Sequence, residues 1–252
     1  MSDFDRNASA RWGTGVAQAG TAAQIDQGLR AYMLGVYNNM VIGLGLTGLV
    51  ALGANMLAMG ADHRLTAFGE ALYLSPLRWV VMLAPLAFVM FFSFRINSMA
   101  ATSARALFFA FAAVMGLSLS SILLVYTGQS VARAFFITSA TFGALSLYGY
   151  TTPRSLSAMG SFLIMGVFGI IIAGLVNIFL QSSMMQFAIS ILSVLIFSGL
   201  TAYDTQNIKE MYYESDSVDV AMKKSVNGAL MLYLDFINIF MSLLQLTGNR
   251  NN

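Results

Sequence analysis

Cysteine is absent from this 252-residue sequence, and charged residues are scarce. Without cysteine the protein forms no disulfide and has no thiolate metal site or cysteine nucleophile. Asp, Glu, Lys and Arg make up 10% of the residues, whereas a soluble domain usually carries about 25%. The basic residues are scattered and form no run, which argues against a nucleic-acid partner. So few charges cannot cover a water-soluble surface, and an ordinary soluble domain is excluded.

Apolar residues, by contrast, make up 58% of the chain and occur in blocks of about twenty. A helix of that length crosses a bilayer core of roughly 30 Å. The blocks predict an all-α integral membrane protein with seven transmembrane helices. Their predicted bounds are 34–59, 77–95, 106–126, 131–150, 158–180, 185–208 and 225–246.

Three regions follow from this division of the chain. Residues 1–30 are rich in small and polar residues without an apolar period, so we predict a disordered cytoplasmic tail. Residues 31–247 form the seven-helix domain, and residues 248–252 form a short C-terminal tail. The connections are mostly short, so sequential helices should pack antiparallel.

The distribution of Lys and Arg between the loops predicts the orientation in the membrane. With the N-terminus in the cytoplasm, nine basic residues lie inside and four lie outside. The inside set is Arg6, Arg11, Arg30, Arg95, Arg105, Arg154, Lys209, Lys223 and Lys224, and the outside set is Arg64, Arg78, Arg133 and Arg250. We therefore expect a multi-pass protein of the inner (cell) membrane with a cytoplasmic N-terminus.

Charged residues within or at the ends of the spans are the candidate functional residues. A charge near the bilayer centre costs at least ~2.5–3.5 kcal/mol, so such residues usually face the bundle interior and have a function. Asp204 lies in the last third of the sixth span, Asp235 lies near the middle of the seventh, and Arg95 ends the second. The predicted topology places all three toward the cytoplasmic side.

The seventh span also carries a polar stripe on an otherwise apolar helix. At 100° per residue, one face collects Asn227, Gly228, Met231, Asp235, Asn238, Ser242 and Gln245. Such a stripe cannot face lipid, because its polar groups would lack hydrogen-bond partners there. We therefore predict that the seventh helix is central.

The sequence resembles the transmembrane Bax-inhibitor motif family, particularly its bacterial branch. The resemblance covers about residues 30–247 and rests on the seven-span pattern, on Tyr203-Asp204 and on the run from Ala229 to Gln245. Its most specific piece is Leu234-Asp235-Phe236-Ile237-Asn238. It implies a central last helix that is wrapped by the other six.

The resemblance also implies roles for the three charged residues. Asp204 and Asp235 match an aspartate pair that senses pH on the cytoplasmic side, and Arg95 matches an arginine that latches one of them. Members are associated with a pH-dependent calcium leak and, in eukaryotes, with suppression of cell death. This sequence lacks the acidic residues that some members carry on the second helix, since none lies between Leu77 and Arg95.

Together with this resemblance, the residues favour a pH-gated cation leak channel; calcium as the permeant ion is what the resemblance implies, and we expect no enzymatic activity and no cofactor. Two close carboxylates in a bundle titrate as a coupled pair, and an arginine would hold an ionised member in place. Calcium takes six to eight oxygen ligands, whereas two aspartates supply at most four. Any calcium contact at Asp204 and Asp235 should therefore be weak, which suits conduction.

Two alternatives remain open. An intramembrane aspartyl protease also pairs two aspartates on neighbouring helices, one of them in a Tyr-Asp motif. Its second aspartate normally follows Gly-x-Gly, whereas Leu232-Tyr233-Leu234 precedes Asp235. The second alternative is a regulatory membrane protein that binds a membrane protease or a stress-response partner. The N-terminal tail and the 209–224 loop would be its contacts.

The predicted orientation is tested by labelling single cysteines, since the natural sequence has none. A cysteine at Thr21 and one at Ser217 should both resist an impermeant thiol reagent added outside intact cells. A cysteine at Arg64, in a loop predicted to be outside, should react. Labelling of Thr21→Cys or Ser217→Cys from outside would overturn the orientation.

Overall fold

The computed structural model describes the backbone of residues 3–60, 62 and 64–251, and the side chains of these residues apart from 3–26 and 97. This part of the chain is almost entirely helical. The helices are α1 (Asp3–Ala58), α2 (Ala67–Tyr73), α3 (Leu77–Arg95), a 3-10 helix (Ile96–Ser98), α4 (Ala101–Leu119), α5 (Ile122–Val125), α6 (Gly128–Thr151), α7 (Ser157–Leu180), α8 (Ser183–Glu210) and α9 (Val218–Thr247).

Seven segments are long and apolar enough to cross a membrane, so the predicted all-α seven-span fold is confirmed. They are Gln27–Ala58, Leu77–Arg95, Ala101–Val125, Gly128–Thr151, Ser157–Leu180, Ser183–Glu210 and Val218–Thr247. The third combines α4 and α5. The last begins earlier than predicted because Ser217 caps its first turn by accepting a hydrogen bond from the Val220 N–H, so the charged residues before the apolar block are already helical.

The two chain ends were predicted to be tails. The predicted disordered tail, residues 1–30, falls mostly on residues whose side chains lie outside the described part, and residues 27–30 belong to α1. At the other end, residues 249–251 pair with the segment between α5 and α6. The Thr127 N–H donates to the Asn249 carbonyl at 3.0 Å and the Asn251 N–H donates to the Val125 carbonyl at 2.9 Å.

Helix α9 is the most buried of the seven spans. In its most apolar window 61% of residues are buried, whereas no other span exceeds 28%. Helices α1, α4, α6 and α8 pack directly on α9, while α3 packs on α4 and α7 packs on α8. Complete wrapping of the last helix by all six others stays a prediction.

Tyr233 anchors α9 to α1 and α4. Its side chain is fully buried, and its hydroxyl lies 2.7 Å from the Thr47 hydroxyl of α1. Its ring meets Phe108 and Phe111 of α4 edge to face, at centroid distances of 5.8 and 5.6 Å. An apolar environment favours this arrangement, because the polar tip has a partner while the ring packs on aromatic edges.

Glycine at position 149 lets α6 approach α8 closely. A Cβ there would overlap the carbonyl group of Ala202 on α8, whereas a Cβ at Gly143 on the same helix would meet no neighbouring atom within 4 Å. Close backbone approach at small residues is how membrane helices gain packing energy in lipid. This contact holds the part of α8 around Ala202 close to α6.

Gly149→Ala should therefore destabilise the protein, because the added methyl group forces α6 away from α8. Overpacking of this kind costs about 1–3 kcal/mol. Gly143→Ala is the matched control and should be neutral or slightly stabilising, since alanine favours helices. Thermal unfolding of both variants in detergent measures the difference, and equal melting temperatures would contradict the packing argument.

Candidate functional site

The last two long helices bring Asp204 and Asp235 together. Asp204 lies near the end of α8 and is 8% exposed, and Asp235 lies near the middle of α9 and is 4% exposed. Their carboxyl groups lie within hydrogen-bonding reach of each other. Two residues that are 31 positions apart thus form one buried carboxyl pair.

This contact has a direct chemical consequence. An ionised carboxylate only accepts hydrogen bonds, so a hydrogen bond between two carboxyl groups needs a proton on one of them. The Oδ2 atom of Asp235 has no hydrogen-bond partner among the described residues. A buried oxygen without a partner is costly, and such a site can take up a proton or a cation.

Three positions of the polar stripe of α9 contact α8. At one end Gly228 packs against the side chain of Ile208, and in the middle Asp235 meets Asp204. At the other end the Oε1 atom of Gln245 accepts hydrogen bonds from Gln186 Nε2 at 2.8 Å and from the Ser190 hydroxyl at 2.9 Å. The stripe is thus turned toward another helix.

The two other residues singled out on the stripe are Asn238 and Ser242. The Asn238 amide donates to the Leu234 carbonyl of its own helix at 2.8 Å. Ser242 is buried. Neither side chain is within the contact between the two aspartates, so they extend the polar face beyond the pair.

A chain of hydroxyl groups ends at Thr205, the residue after Asp204 in the sequence, and was not found by sequence reasoning. The Tyr37 hydroxyl of α1 lies 2.6 Å from the Ser146 hydroxyl of α6, which in turn lies 3.0 Å from the Thr205 hydroxyl of α8. These side chains link three helices at the residue next to Asp204. Hydroxyl residues are common in apolar helices, so the sequence does not indicate which of them meet. Only the tertiary structure shows this chain.

Arg95 is not brought to the aspartate pair. It ends α3 with an exposed side chain and makes no ion pair with Asp204 or Asp235 in the described part of the chain. The 3-10 helix that follows it packs against α9, and Ile96 and Asn227 line one cavity there. Arg95 therefore stands at the end of the bundle where α9 begins, about two helical turns from Asp235 along that helix.

Lysines and aspartates fasten the connection between α8 and α9. Lys224 Nζ lies 2.6 Å from Asp216 and donates to the Met211 carbonyl at 2.9 Å. Asp219 pairs with Lys223 at 3.1 Å and accepts a hydrogen bond from the Ala101 N–H, at the start of α4. Asp216 in the loop and Asp219 in the first turn of α9 thus connect the ends of α8, α9 and α4.

Metal binding by a full protein ligand set finds no support in the described residues. They contain no group of three or more His, Cys, Asp or Glu that could hold a metal ion. Calcium prefers six to eight oxygens, so a calcium ion at the aspartate pair would keep most of its water ligands. Such a contact would be weak, because the protein would supply few of the calcium ligands.

Fold and site together define a multi-pass helical membrane protein with a buried carboxyl pair between its last two spans. The family model described as "Inhibitor of apoptosis-promoting Bax1" matches residues 29–252. The chain belongs to this Bax-inhibitor family, and the resemblance inferred from the sequence is confirmed.

Bacterial relatives agree with this assignment. The chain is 45% identical to an uncharacterized protein of Rickettsia prowazekii over 90% of this chain and 93% of the relative. It is 44% identical to the inner membrane protein YbhL of Escherichia coli K12, over 88% of this chain and 93% of the relative. It is 33% identical to an uncharacterized membrane protein of Streptococcus pyogenes, over 90% and 96%.

Proposed function

We propose that this protein is a pH-sensitive cation leak channel, with calcium as a permeant ion and with Asp204 and Asp235 as its gate. The observation that carries the proposal is the buried contact between these two carboxyl groups on adjacent helices. No enzymatic step and no cofactor are part of the proposal. The inner membrane is its proposed location, as for the named Escherichia coli relative.

The gate works through the charge state of the pair. With one proton between them, the carboxyl groups hold α8 and α9 together by a hydrogen bond. With the proton removed, two negative charges face each other in a medium that screens them poorly. The ionised pair then requires a cation, either Arg95 as a latch or a permeant ion, so pH sets the arrangement of the two helices.

Arg95 is able to act as a latch only if it moves from its exposed position. Helix α3 carries it, and only 11% of the most apolar window of that span is buried. Helix α3 packs mainly on α4 and α2, outside the core around α9. Pro85 interrupts its hydrogen bonding in mid-helix. A shift of the Arg95 end would move the buried Phe92 and the 3-10 helix that packs on α9, and would leave the other helices that contact α9 in place.

Calcium is the proposed permeant ion because carboxylate oxygens are the ligands it prefers. Two aspartates hold it weakly, so that it leaves again. A regulatory role through a membrane protease or a stress-response partner is the alternative, and an aspartyl protease is a remote one. Flux through the purified protein in lipid vesicles distinguishes them, because only a channel conducts with no partner present.

Asp235→Asn should remove most of the pH dependence of the flux, because an amide of nearly the same volume cannot gain or lose the proton. Calcium flux into liposomes of defined internal and external pH measures this. Asp62→Asn is the control: Asp62 is an exposed acid in the α1–α2 connection, and its loss should leave the profile unchanged. A normal pH profile in folded, reconstituted Asp235→Asn would mean that Asp235 is structural.

Arg95→Gln should raise the leak several-fold at neutral pH and flatten its pH response, because the proposed lock on the ionised pair is gone. Arg154→Gln, which removes another basic residue at the same end, should leave gating intact. Combining Arg95→Gln with Asp204→Asn tests the coupling. Two effects that simply add would show that Arg95 and Asp204 are not coupled, and the latch would fail for that pair.

A further inference from the structure

A cavity of about 470 Å³ lies between α1, the beginning of α9 and the loop that joins α8 to α9. Its α1 wall includes Gly28, Tyr32, Gly35 and Asn39, which fall on one helical face. From Gly28 to Asn39 this wall extends roughly 16 Å along the helix. The cavity therefore reaches from the end of the bundle well into the apolar part of α1.

Three residues that line this cavity each carry a buried polar atom without a hydrogen-bond partner among the described residues. Among the described side chains five such atoms occur, and three of them, Tyr32 Oη, Asn39 Oδ1 and Ser225 Oγ, belong to residues that line it. These three residues are only 7%, 6% and 6% exposed. Leaving one such group unsatisfied costs about 1–3 kcal/mol, so three in one place require a common partner.

Two glycines of α1, Gly28 and Gly35, leave space for hydroxyl groups of residues that line the cavity. A Cβ at Gly35 would lie 3.1 Å from the Ser225 hydroxyl, and one at Gly28 would overlap the Tyr212 hydroxyl. The missing side chain of Gly35 thus leaves room for the Ser225 hydroxyl beside α1. The same small residues that allow close helix packing thus shape a polar space.

The cavity closes one helical turn beyond Asn39, toward the C-terminal end of α1. There Gly43 of α1 meets the rings of Phe108 and Tyr233, which pack edge to face at 5.8 Å. At the other end the lining includes Arg105 of α4 and the acidic residues Glu214 and Asp216 of the loop. One end is therefore polar and charged, and the other is sealed by aromatic side chains.

We infer that this cavity is a water-filled vestibule, which admits water and small hydrophilic cations to the level of Asn39 and ends at the Phe108–Tyr233 contact. Polar and charged side chains stand among the apolar ones in its lining, and it is many times larger than one water molecule, about 30 Å³, so it has both the partners and the room that internal water needs. Its orphan atoms are all oxygens, which accept hydrogen bonds from water or an ammonium group and also bind partly dehydrated cations. The cation role rests on the proposed channel function, whereas hydration does not.

Cysteine accessibility tests the vestibule directly. Single cysteines at Asn39 and Ser225 line it, Ser217→Cys is an accessible position in the loop, and Ala54→Cys is a buried control on the same helix α1. A small ammonium-bearing methanethiosulfonate reagent is added to inverted membrane vesicles or to the purified protein. Asn39→Cys and Ser225→Cys should react about tenfold or more faster than Ala54→Cys, because modification requires an accessible thiolate.

Reaction of Asn39→Cys as slow as that of Ala54→Cys would overturn the vestibule. The labelling needs no ion flux, so rapid labelling without any calcium leak would leave the vestibule standing and contradict only the channel function. Conversely, a leak with an unreactive Asn39→Cys would mean that cations take another route.

Tyr32→Phe gives a second test that does not depend on introduced cysteines. In a dry cavity the Tyr32 hydroxyl is buried without a hydrogen-bond partner and destabilises the folded protein, so its removal would raise the melting temperature. In a hydrated cavity the hydroxyl is bonded to water, so its removal should leave the melting temperature unchanged or lower it. Tyr148→Phe, an exposed tyrosine on α6, is the matched control, and a clear rise confined to Tyr32→Phe would overturn the inference.

Discussion

The structure depends on one constraint: the polar face of α9 must be kept out of the lipid. Hydrocarbon offers no hydrogen bonds, so each polar group on that face needs a partner inside the protein. Helix α8 supplies partners for two of them, Asp204 for Asp235 and Gln186 and Ser190 for Gln245. The pairing of α8 with α9 follows from this requirement, and the remaining spans pack around the pair.

The same constraint explains why the carboxyl pair is suited to switching. Most of the contacts between α8 and α9 are satisfied whatever the pH, since amides, hydroxyls and carbonyls keep their protons. In the proposed gate, the aspartate contact changes its charge. A single titrating contact in an otherwise stable helix pair is able to bias two arrangements without unfolding either. The Tyr233 anchor to Thr47 holds the opposite face of α9 in place meanwhile.

Glycine has two uses in this bundle. At Gly149 its missing side chain brings two helix backbones together, and at Gly35 it leaves space for the hydroxyl of a residue that lines a cavity. Sequence spacing alone does not separate these uses, because both occur in helices with small residues at regular intervals. What distinguishes them is the neighbour: a backbone carbonyl in one case and an unpartnered polar side chain in the other.

The number and type of the spans, the buried polar face of α9 and the family were all determined by the sequence itself. Bilayer thickness sets the length of a spanning helix, and polar residues at helical spacing identify the face that avoids lipid. Tertiary structure alone decided that Asp204 and Asp235 touch, that Arg95 stands apart, and that Tyr37, Ser146 and Thr205 form one chain. Such contacts depend on the rotation and depth of each helix, and these are set by packing between segments far apart in the chain.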